Sequence, residues 1–237
     1  MKSVLVAETA ESAARHGAVV AVDLPEGQVA SLTAAERRDL ADNAARLVIV
    51  LLFSVMVYRI GMNFLETGRL TGLLLLASEA LVVVLTVVRR SPVSVDRSVR
   101  ARVLTTIAMM GPPLVAPAQS APIAPDTVTL SICAVGLLVV IAGKLSLGRS
   151  FGLIPANRGI VSSGLYRVVR HPIYLGYLIT HIAFVAAHPT LWNLLLLGIA
   201  DLAQMARAVC EEKTLAQDER YRAYQTTVRW RVVPGVF

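Results

Sequence analysis

Polar residues that could bind a ligand are concentrated in two stretches of an otherwise apolar sequence, residues 144–170 and residues 207–224. Two apolar segments lie between these stretches, and only His188-Pro189-Thr190 separates them. So short a link predicts a tight helical hairpin. A hairpin brings the second stretch back beside the first, so we expect the two to form one site.

The residue types in these stretches suit a zwitterionic nucleotide. Glycines let a backbone approach a ligand closely, and Pro172 can begin a helix whose first amides point towards the preceding loop. His171 and the nearby tyrosines offer hydrogen bonds and flat faces. Glu211 could bind an ammonium group or ribose hydroxyls. Arg207 lies one helical turn earlier on the same face and could hold an anionic substrate.

A purely structural interpretation of these residues remains open on chemistry alone. Residues 170–172 could anchor a helix at the lipid headgroups, and residues 211–213 could be a solvated helix end. A metal site is not expected, because the four histidines lack paired ligand spacing and the cysteines Cys133 and Cys210 form no CxxC motif. No Walker or dinucleotide fingerprint is present.

Two motifs resemble a known family. Residues 164–176 read Gly-Leu-Tyr-Arg-Val-Val-Arg-His-Pro-Ile-Tyr-Leu-Gly, and about 35 residues later Glu211-Glu212-Lys-Thr-Leu215 is followed by Tyr221-Arg-Ala-Tyr224. Their sequence, order and spacing resemble the signatures of the isoprenylcysteine carboxyl methyltransferase family and its relatives, which include phospholipid methyltransferases. The likeness covers residues 145–234. The first half resembles the family only in being helical and membrane-bound.

The resemblance implies an enzyme that uses S-adenosyl-L-methionine from the cytosol and a lipophilic acceptor from the bilayer. Arg207 matches the family's substrate-facing arginine and is the expected catalytic residue. The tail from Tyr221 to Arg231 would cover the cofactor. The expected cofactor-binding residues are Ile160, Val161, Tyr166, His171, Pro172, Ile173, Tyr174, Gly176 and Glu211.

Two departures from the family pattern affect the substrate rather than the cofactor. Arg158 stands where some relatives have histidine, and the acidic run at Glu211-Glu212 ends at Lys213. Carboxylate O-methylation is the favoured reaction, with Arg207 orienting the acceptor. A phospholipid amine is the second acceptor considered, and it would need a base such as Asp201 or Glu212. The sequence is also compatible with a sterol-type membrane reductase that uses NADPH, and with a non-catalytic membrane scaffold.

The elements that position these residues are apolar enough for a membrane. Of the 237 residues, 55% are hydrophobic and 16% are charged, against about a quarter charged in a soluble domain. Six apolar segments approach the roughly 20 residues that a transmembrane helix needs. They span residues 44–64, 70–88, 103–118, 127–147, 173–187 and 191–209.

The basic residues predict the orientation of these segments. Arginines crowd the links after the second and fourth segments and the tail after the sixth, while the intervening links nearly lack positive charge. The positive-inside rule then places both termini and the site in the cytoplasm. The net charge of +7 is interpreted as a sign of contact with anionic lipid headgroups, not with nucleic acid. We expect membrane lipids and a lipophilic substrate as partners.

The predicted fold is therefore all-α: a polytopic membrane bundle of about six helices, with a C-terminal hairpin and a cytoplasmic cofactor-binding cap. Three regions are expected: a tail and interfacial helix (1–43), N-terminal membrane helices (44–143), and a methyltransferase-like region (144–237). Residues 1–32 are interpreted as a mobile tail. Thr33 and Glu36 fit a capping box that begins the interfacial helix.

Three polar residues and one Gly-Pro-Pro sequence within the apolar segments also carry predictions. Glu79 is expected to pair with Arg59 on the neighbouring segment, because an ionised carboxylate is costly in a bilayer. His181 is expected to make an interhelical hydrogen bond. Asp201 could either pack between helices or line the active cavity. Gly111-Pro112-Pro113 is expected to kink the third segment.

Overall fold

The computed structural model describes residues 34–67, 70–115 and 120–237. It divides the chain into two compact units, Met1–Asp42 and Asn43–Phe237, and all the features below except the start of the first helix lie in the second. The predicted mobile tail and the capping residue Thr33 lie outside the described residues. Seven α-helices occur in the described part: α1 Ala34–Thr67, α2 Leu70–Val88, α3 Val99–Met110, α4 Asp126–Leu147, α5 Pro172–Ala187, α6 Leu191–Leu215 and α7 Glu219–Thr227.

The helix ends follow local chemistry. Pro172 occupies the first position of α5, where its missing N–H costs nothing. The hydroxyl of Thr190 accepts a hydrogen bond from the Asn193 amide at the start of α6, and Asp218 caps α7 in a similar way. At the end of α4, Gly148 has φ +49°, a left-handed conformation that glycine adopts without strain. Helices α2, α4 and α5 begin and end within one residue of the predicted segments.

Three predicted segments differ from the observed helices. Helix α1, Ala34–Thr67, covers both the predicted interfacial helix and the first apolar segment, residues 44–64. The helix α6 continues to Leu215, six residues beyond the predicted end of its apolar segment. The kink predicted at Gly111-Pro112-Pro113 is wrong, because α3 ends at Met110 and a short 3₁₀ turn, Pro112–Leu114, follows. Part of that predicted segment, residues 116–119, lies outside the described residues.

Two of the described helices are long and apolar enough to cross a membrane, namely Asp126–Ser150 (α4 with its following turn) and Leu191–Leu215 (α6). Shorter apolar helices cover Leu74–Val88 and Pro172–Ala187. In the most apolar window of α4, 33% of the residues are buried inside the protein. The remaining apolar surface is therefore available for contact with lipid.

Helices α4 and α5 approach each other most closely at two glycines. A Cβ atom at Gly136 would lie 2.5 Å from Thr180 Oγ1, and one at Gly176 would lie 2.6 Å from Val140 Cγ2. Neither position has room for a side chain. The two backbones therefore pack directly against each other, and α4 also packs against α2.

A two-stranded antiparallel sheet departs from the all-α expectation. Strand β1, Ser94–Val95, pairs with β2, Ala156–Asn157. The Val93 amide donates to the Asn157 carbonyl at 2.8 Å, and the Asp96 amide donates to the Pro155 carbonyl at 3.0 Å. We call this sheet the clasp. It joins the link after α2 to the loop between α4 and α5.

Three polar residues of the helices on which the sequence carried predictions, Glu79, His181 and Asp201, have defined partners. Glu79 lies 3.5 Å from the ammonium of Lys144, so the predicted pairing with the exposed Arg59 is wrong. His181 Nδ1 lies 2.7 Å from Asp201 Oδ1, which confirms the interhelical hydrogen bond predicted for His181. This contact also gives Asp201 a packing role between α5 and α6.

Candidate functional site

The end of α4, the start of α5 and the end of α6 surround an open cleft. It encloses about 640 Å³ of empty space, including solvent at its mouth. We call it the outer chamber. Its walls come from the loop after α4, the tyrosines around α7, and two helix-end residues, His171 and Glu211.

A second cavity of about 500 Å³ continues from the first. We call it the inner chamber. The two chambers share five wall residues: Leu147, Gly152, Tyr166, His171 and Glu211. Beyond these, the inner chamber is lined by apolar and aromatic side chains together with Arg207: Phe151, Leu153, Ile173, Tyr174 and Tyr177. A more polar chamber and a more apolar chamber therefore share His171 and Glu211 in their walls.

Most of the predicted site residues line these chambers. Ile160 and Val161 line the outer chamber, Ile173, Tyr174 and Arg207 line the inner one, and Tyr166, His171 and Glu211 line both. Pro172 and Gly176 line neither. Pro172 begins α5, and Gly176 lies against α4, so both residues shape the helices around the site.

The two adjacent glutamates have different environments. Glu211 faces the chambers, with Oε1 accepting a hydrogen bond from Arg207 Nη2 at 3.0 Å and Oε2 lying 3.6 Å from His171 Nδ1. The carboxylate of Glu212 is turned away from both chambers and lies 2.9 Å from Arg170 Nε and 2.9 Å from Arg231 Nε. Glu212 is thus a buried structural ion-pair partner. Two guanidinium groups stabilise its charge, so it is poorly suited to act as a base.

His171 is held between these glutamates and the helix that it precedes. Its Nε2 lies 3.3 Å from Glu212 Oε1, and its ring stacks on that of Tyr174 with 5.2 Å between centroids. Its amide donates to the Arg231 carbonyl at 2.7 Å, and the Arg170 amide donates to the Trp230 carbonyl. The C-terminal tail therefore closes one side of the site through backbone hydrogen bonds.

The roles of Arg170 and Arg231 were not predicted from the sequence. Arg170 is expected only as part of the first motif and of the basic links, and Arg231 only as the end of the covering tail. Their shared partner Glu212 is considered as a base or as part of a solvated helix end, and not as the partner of either arginine. The alternation of Glu211 and Glu212 around α6 could have indicated that only one of them faces the cleft, because consecutive helical residues point about 100° apart.

Arg207 is buried in the inner chamber and is only partly satisfied. Its Nη2 donates to the Leu153 carbonyl and to Glu211, and its guanidinium lies 5.5 Å from the centre of the Tyr174 ring. Its Nε is buried and has no hydrogen-bond partner among the described residues. Such a donor is costly to leave unpaired, so the chamber suits an anionic group placed beside Arg207.

Three tyrosines form an apolar and aromatic wall of the outer chamber. Tyr166, Tyr221 and Tyr224 are buried together, and the Tyr224 hydroxyl donates to the Tyr166 carbonyl at 2.6 Å. Burial raises the pKa of Tyr166 and Tyr221 above the usual value of 10.0, and burial raises the pKa of Tyr224 to about 12. All three hydroxyls are therefore neutral near pH 7, so the three residues present uncharged rings to a ligand.

The clasp supports the loop that completes the outer chamber. Asn157 in β2 accepts a hydrogen bond from the Gly159 amide at 2.9 Å, just before Ile160 and Val161, and its Nδ2 lies 3.3 Å from Asp218 at the start of α7. Gly159 has φ +108°, which favours glycine. The first half of the chain therefore contributes to the site by holding this loop.

One family of known proteins matches the part of the chain that forms the chambers. Residues 126–222 match the family model for phospholipid methyltransferases. The match covers less than half of the 237 residues but includes α4, α5, α6 and most of the chamber walls. No curated protein matches the chain. The region around the chambers is thus similar to a membrane methyltransferase, without distinguishing carboxyl from amine methylation.

Proposed function

We propose that this protein is an integral membrane enzyme that transfers a methyl group from S-adenosyl-L-methionine to a lipophilic acceptor, with carboxylate O-methylation the favoured reaction. The observation that carries this proposal is the pair of connected chambers. Glu211 lies at their junction, and the partly unsatisfied Arg207 is buried in the inner one. The family match over residues 126–222 supports the same class of reaction.

The outer chamber fits the cofactor chemically. It offers one ligand-facing carboxylate, Glu211, for an ammonium group or ribose hydroxyls, and neutral tyrosine rings for a flat base. Gly159 and Ile160 line this chamber, and the φ of +108° at Gly159 favours glycine at that position. When bound there, S-adenosyl-L-methionine supplies an electrophilic methyl group on a sulfonium.

The inner chamber fits the acceptor. Its aromatic and aliphatic walls suit a hydrocarbon chain, and the positive charge of Arg207 in the wall can attract a carboxylate that would otherwise be repelled by Glu211. Methyl transfer is a direct displacement, so these residues need only align the two ligands and exclude water. Arg207 orients the nucleophilic oxygen, and the buried walls exclude solvent.

A phospholipid amine is the second candidate acceptor, because the matching family is that of phospholipid methyltransferases. Amine methylation needs a group that takes up a proton. Glu212 is committed to Arg170 and Arg231, and Asp201 lies 2.7 Å from His181 and does not line either chamber. Of the two bases considered from the sequence, neither is free in the structure, and this favours the carboxylate.

The first experiment is calorimetric binding of S-adenosyl-L-methionine and S-adenosylhomocysteine to the full-length protein in detergent. We expect saturable binding that His171→Ala and Glu211→Ala each weaken, while Lys213→Ala, an exposed neighbour on α6, leaves it unchanged. Absence of binding by folded wild-type protein would contradict the proposal. Binding of NADPH instead would favour the reductase, and binding of neither ligand would favour the scaffold.

Arg207 is tested separately with labelled cofactor. We expect Arg207→Ala to bind S-adenosyl-L-methionine as wild type does but to lose methyl transfer to a farnesylated cysteine with a free carboxylate by at least about 100-fold, since one charged anchor contributes roughly 3 kcal/mol. Full methylation by this variant would exclude the role of Arg207. If the wild-type protein transfers the methyl group to phosphatidylethanolamine in vesicles, but not to the farnesylated cysteine carboxylate, the amine reaction is established.

A further inference from the structure

An ionic cluster is buried between α2 and α4, outside both chambers. The Lys144 ammonium donates to the carbonyl and the hydroxyl of Ser78, each at 2.8 Å, and lies 3.5 Å from Glu79 Oε1. The Ser78 hydroxyl in turn donates to Glu79 at 3.1 Å. The side chains of Lys144 and Glu79 are only 1% and 8% exposed, so this is a fully enclosed charge pair.

Burying the two charges of this cluster costs free energy, yet each N–H bond of the ammonium has a partner. Burying two charges costs several kcal/mol, and replacing such a pair by apolar residues is often neutral or stabilising. The three N–H bonds of the ammonium face Ser78 O, Ser78 Oγ and Glu79, so the cation is not available to bind a substrate directly. A role in positioning a neighbouring group accounts for the pair better than stability does.

The neighbour that connects the cluster to the site is Tyr177. The Lys144 ammonium lies 5.7 Å from the centre of its ring, within the range of a cation–π contact. The same ring stacks on His181, with 6.2 Å between centroids, and it lines the inner chamber with Arg207. Tyr177 is therefore a chamber wall in contact with a buried cation.

We propose that Lys144, neutralised by Glu79, is a positioning residue that fixes the Tyr177 ring in the wall of the inner chamber and so sets how well the acceptor fits. The effect on the acceptor rests on the proposed function. The link from Lys144 to the Tyr177 ring does not, because it is a property of the folded protein alone.

The ring is observed directly by ¹⁹F NMR of full-length protein labelled with 3-fluorotyrosine. The chain has six tyrosines, and Tyr177→Phe assigns the relevant signal. Because Lys144→Met alone leaves Glu79 buried without a partner and could unfold the protein, the main variant is Lys144→Met with Glu79→Gln, which removes both charges. Lys213→Met makes the same lysine substitution at an exposed position of α6.

We expect the double variant to unfold near the wild-type temperature but to shift or broaden the Tyr177 signal, whereas Lys213→Met leaves that signal unchanged. With the farnesylated cysteine carboxylate as probe, KM should rise on the order of tenfold, as for loss of one desolvated cation–π contact. The kcat and the S-adenosyl-L-methionine affinity should remain within about twofold. In a Tyr177→Leu background the same two substitutions should change KM no further.

An unchanged Tyr177 signal in the folded double variant would overturn the proposal, as would a rise in KM that persists undiminished in the Tyr177→Leu background. If wild-type protein does not methylate the probe, the proposed function fails for that acceptor. The NMR comparison then still decides whether Lys144 positions the ring.

Discussion

Glu211 and Glu212 are neighbours in the sequence, yet the fold gives them opposite tasks. Glu211 is directed into the chambers, where it contacts Arg207 and His171, while Glu212 is enclosed by Arg170, Arg231 and His171. The first can serve a ligand. The second holds the C-terminal tail to the start of α5, so equivalent substitutions at the two positions should differ in kind.

Glu212→Gln should destabilise the protein more than Glu211→Gln, because Glu212 pairs with two arginines and Glu211 with one. Removing the charge of Glu212 leaves the buried Arg170 without its anion, at a cost of roughly 2–4 kcal/mol. Glu211→Gln should lower the unfolding temperature less and should lower cofactor affinity. Thermal unfolding in detergent and calorimetry measure the two effects. The assignment fails if the variants exchange these phenotypes.

Alkaline pH should destabilise the fold through the buried tyrosines. Because the pKa of Tyr224 is raised from 10.0 to about 12, the folded state binds more protons than the unfolded state between these values. This contribution to stability is complete below about pH 10 and is lost as the pH rises towards about 12. Thermal unfolding measured across this range should decline less steeply for Tyr224→Phe, which also loses about 1 kcal/mol at neutral pH with its hydrogen bond to Tyr166. Parallel declines for the two proteins would contradict this prediction.

At the residue scale, the sequence predicted the side chains that line the chambers better than the residues that pair with charged groups around them. His171, Glu211 and Arg207 stand out because their types and helical spacing carry chemistry. The partners Arg170, Arg231 and Lys144 could not be assigned, because each pairing joins residues 19 to 66 positions apart. The error that paired Glu79 with Arg59 has the same cause, since sequence adjacency of helices did not reveal that α2 packs against α4.

At the scale of elements, the contact between α4 and α5 determines how the site is held. The two helices meet backbone to backbone at Gly136 and Gly176, and α5 carries Tyr174 and Tyr177 into the inner chamber. Any side chain added at this crossing has to separate the helices. The position of the aromatic wall therefore depends on two residues that line neither chamber.

Gly136→Ala should lower stability by about 1–3 kcal/mol, because its Cβ would lie 2.5 Å from Thr180 Oγ1 and 2.8 Å from the Gly176 carbonyl. Gly198→Ala is the matched control, since a Cβ at that position on α6 meets nothing within 4 Å. That variant should be neutral or slightly stabilising. Thermal unfolding of both variants checks the prediction, and equal effects would show that the crossing tolerates a methyl group.

Helix positions were largely predictable, whereas the clasp was not. Apolar length and the caps Pro172 and Thr190 define α5 and α6 locally. Strands β1 and β2 have two residues each, so neither shows an alternating pattern, and their pairing joins positions more than 60 residues apart. The end of α3 at Met110 was missed because Gly111-Pro112-Pro113 is compatible with either a kink or a stop.

At the scale of the whole molecule, the chambers lie at one end of α4, α5 and α6. Leu147, His171 and Glu211 mark that end, and the opposite ends meet where the Ile123 amide donates to the Ala186 carbonyl. If α4 and α6 cross the bilayer, these two regions face opposite sides of the membrane. The sequence predicted this arrangement from the distribution of arginines, and it remains a prediction.

Cysteine accessibility in intact cells or oriented vesicles tests the predicted orientation in the membrane. In a background with Cys133→Ala and Cys210→Ala, a membrane-impermeant thiol reagent should label Lys213→Cys and Ile123→Cys from opposite sides, since both positions are exposed. Labelling of both from the same side would contradict the proposed orientation. The cysteine-free parent, which should remain unlabelled, gives the background.

The hydrogen bonds from Arg170 and His171 to the carbonyls of Trp230 and Arg231 have a consequence for biosynthesis. Helices α4 and α5 are synthesised consecutively and can pair as soon as both have left the ribosome. The wall formed by residues 230–231 emerges some 60 residues after His171. A growing chain in which α4 and α5 have already paired therefore cannot yet close this side of the chambers, and their wall is complete only when this late segment has docked.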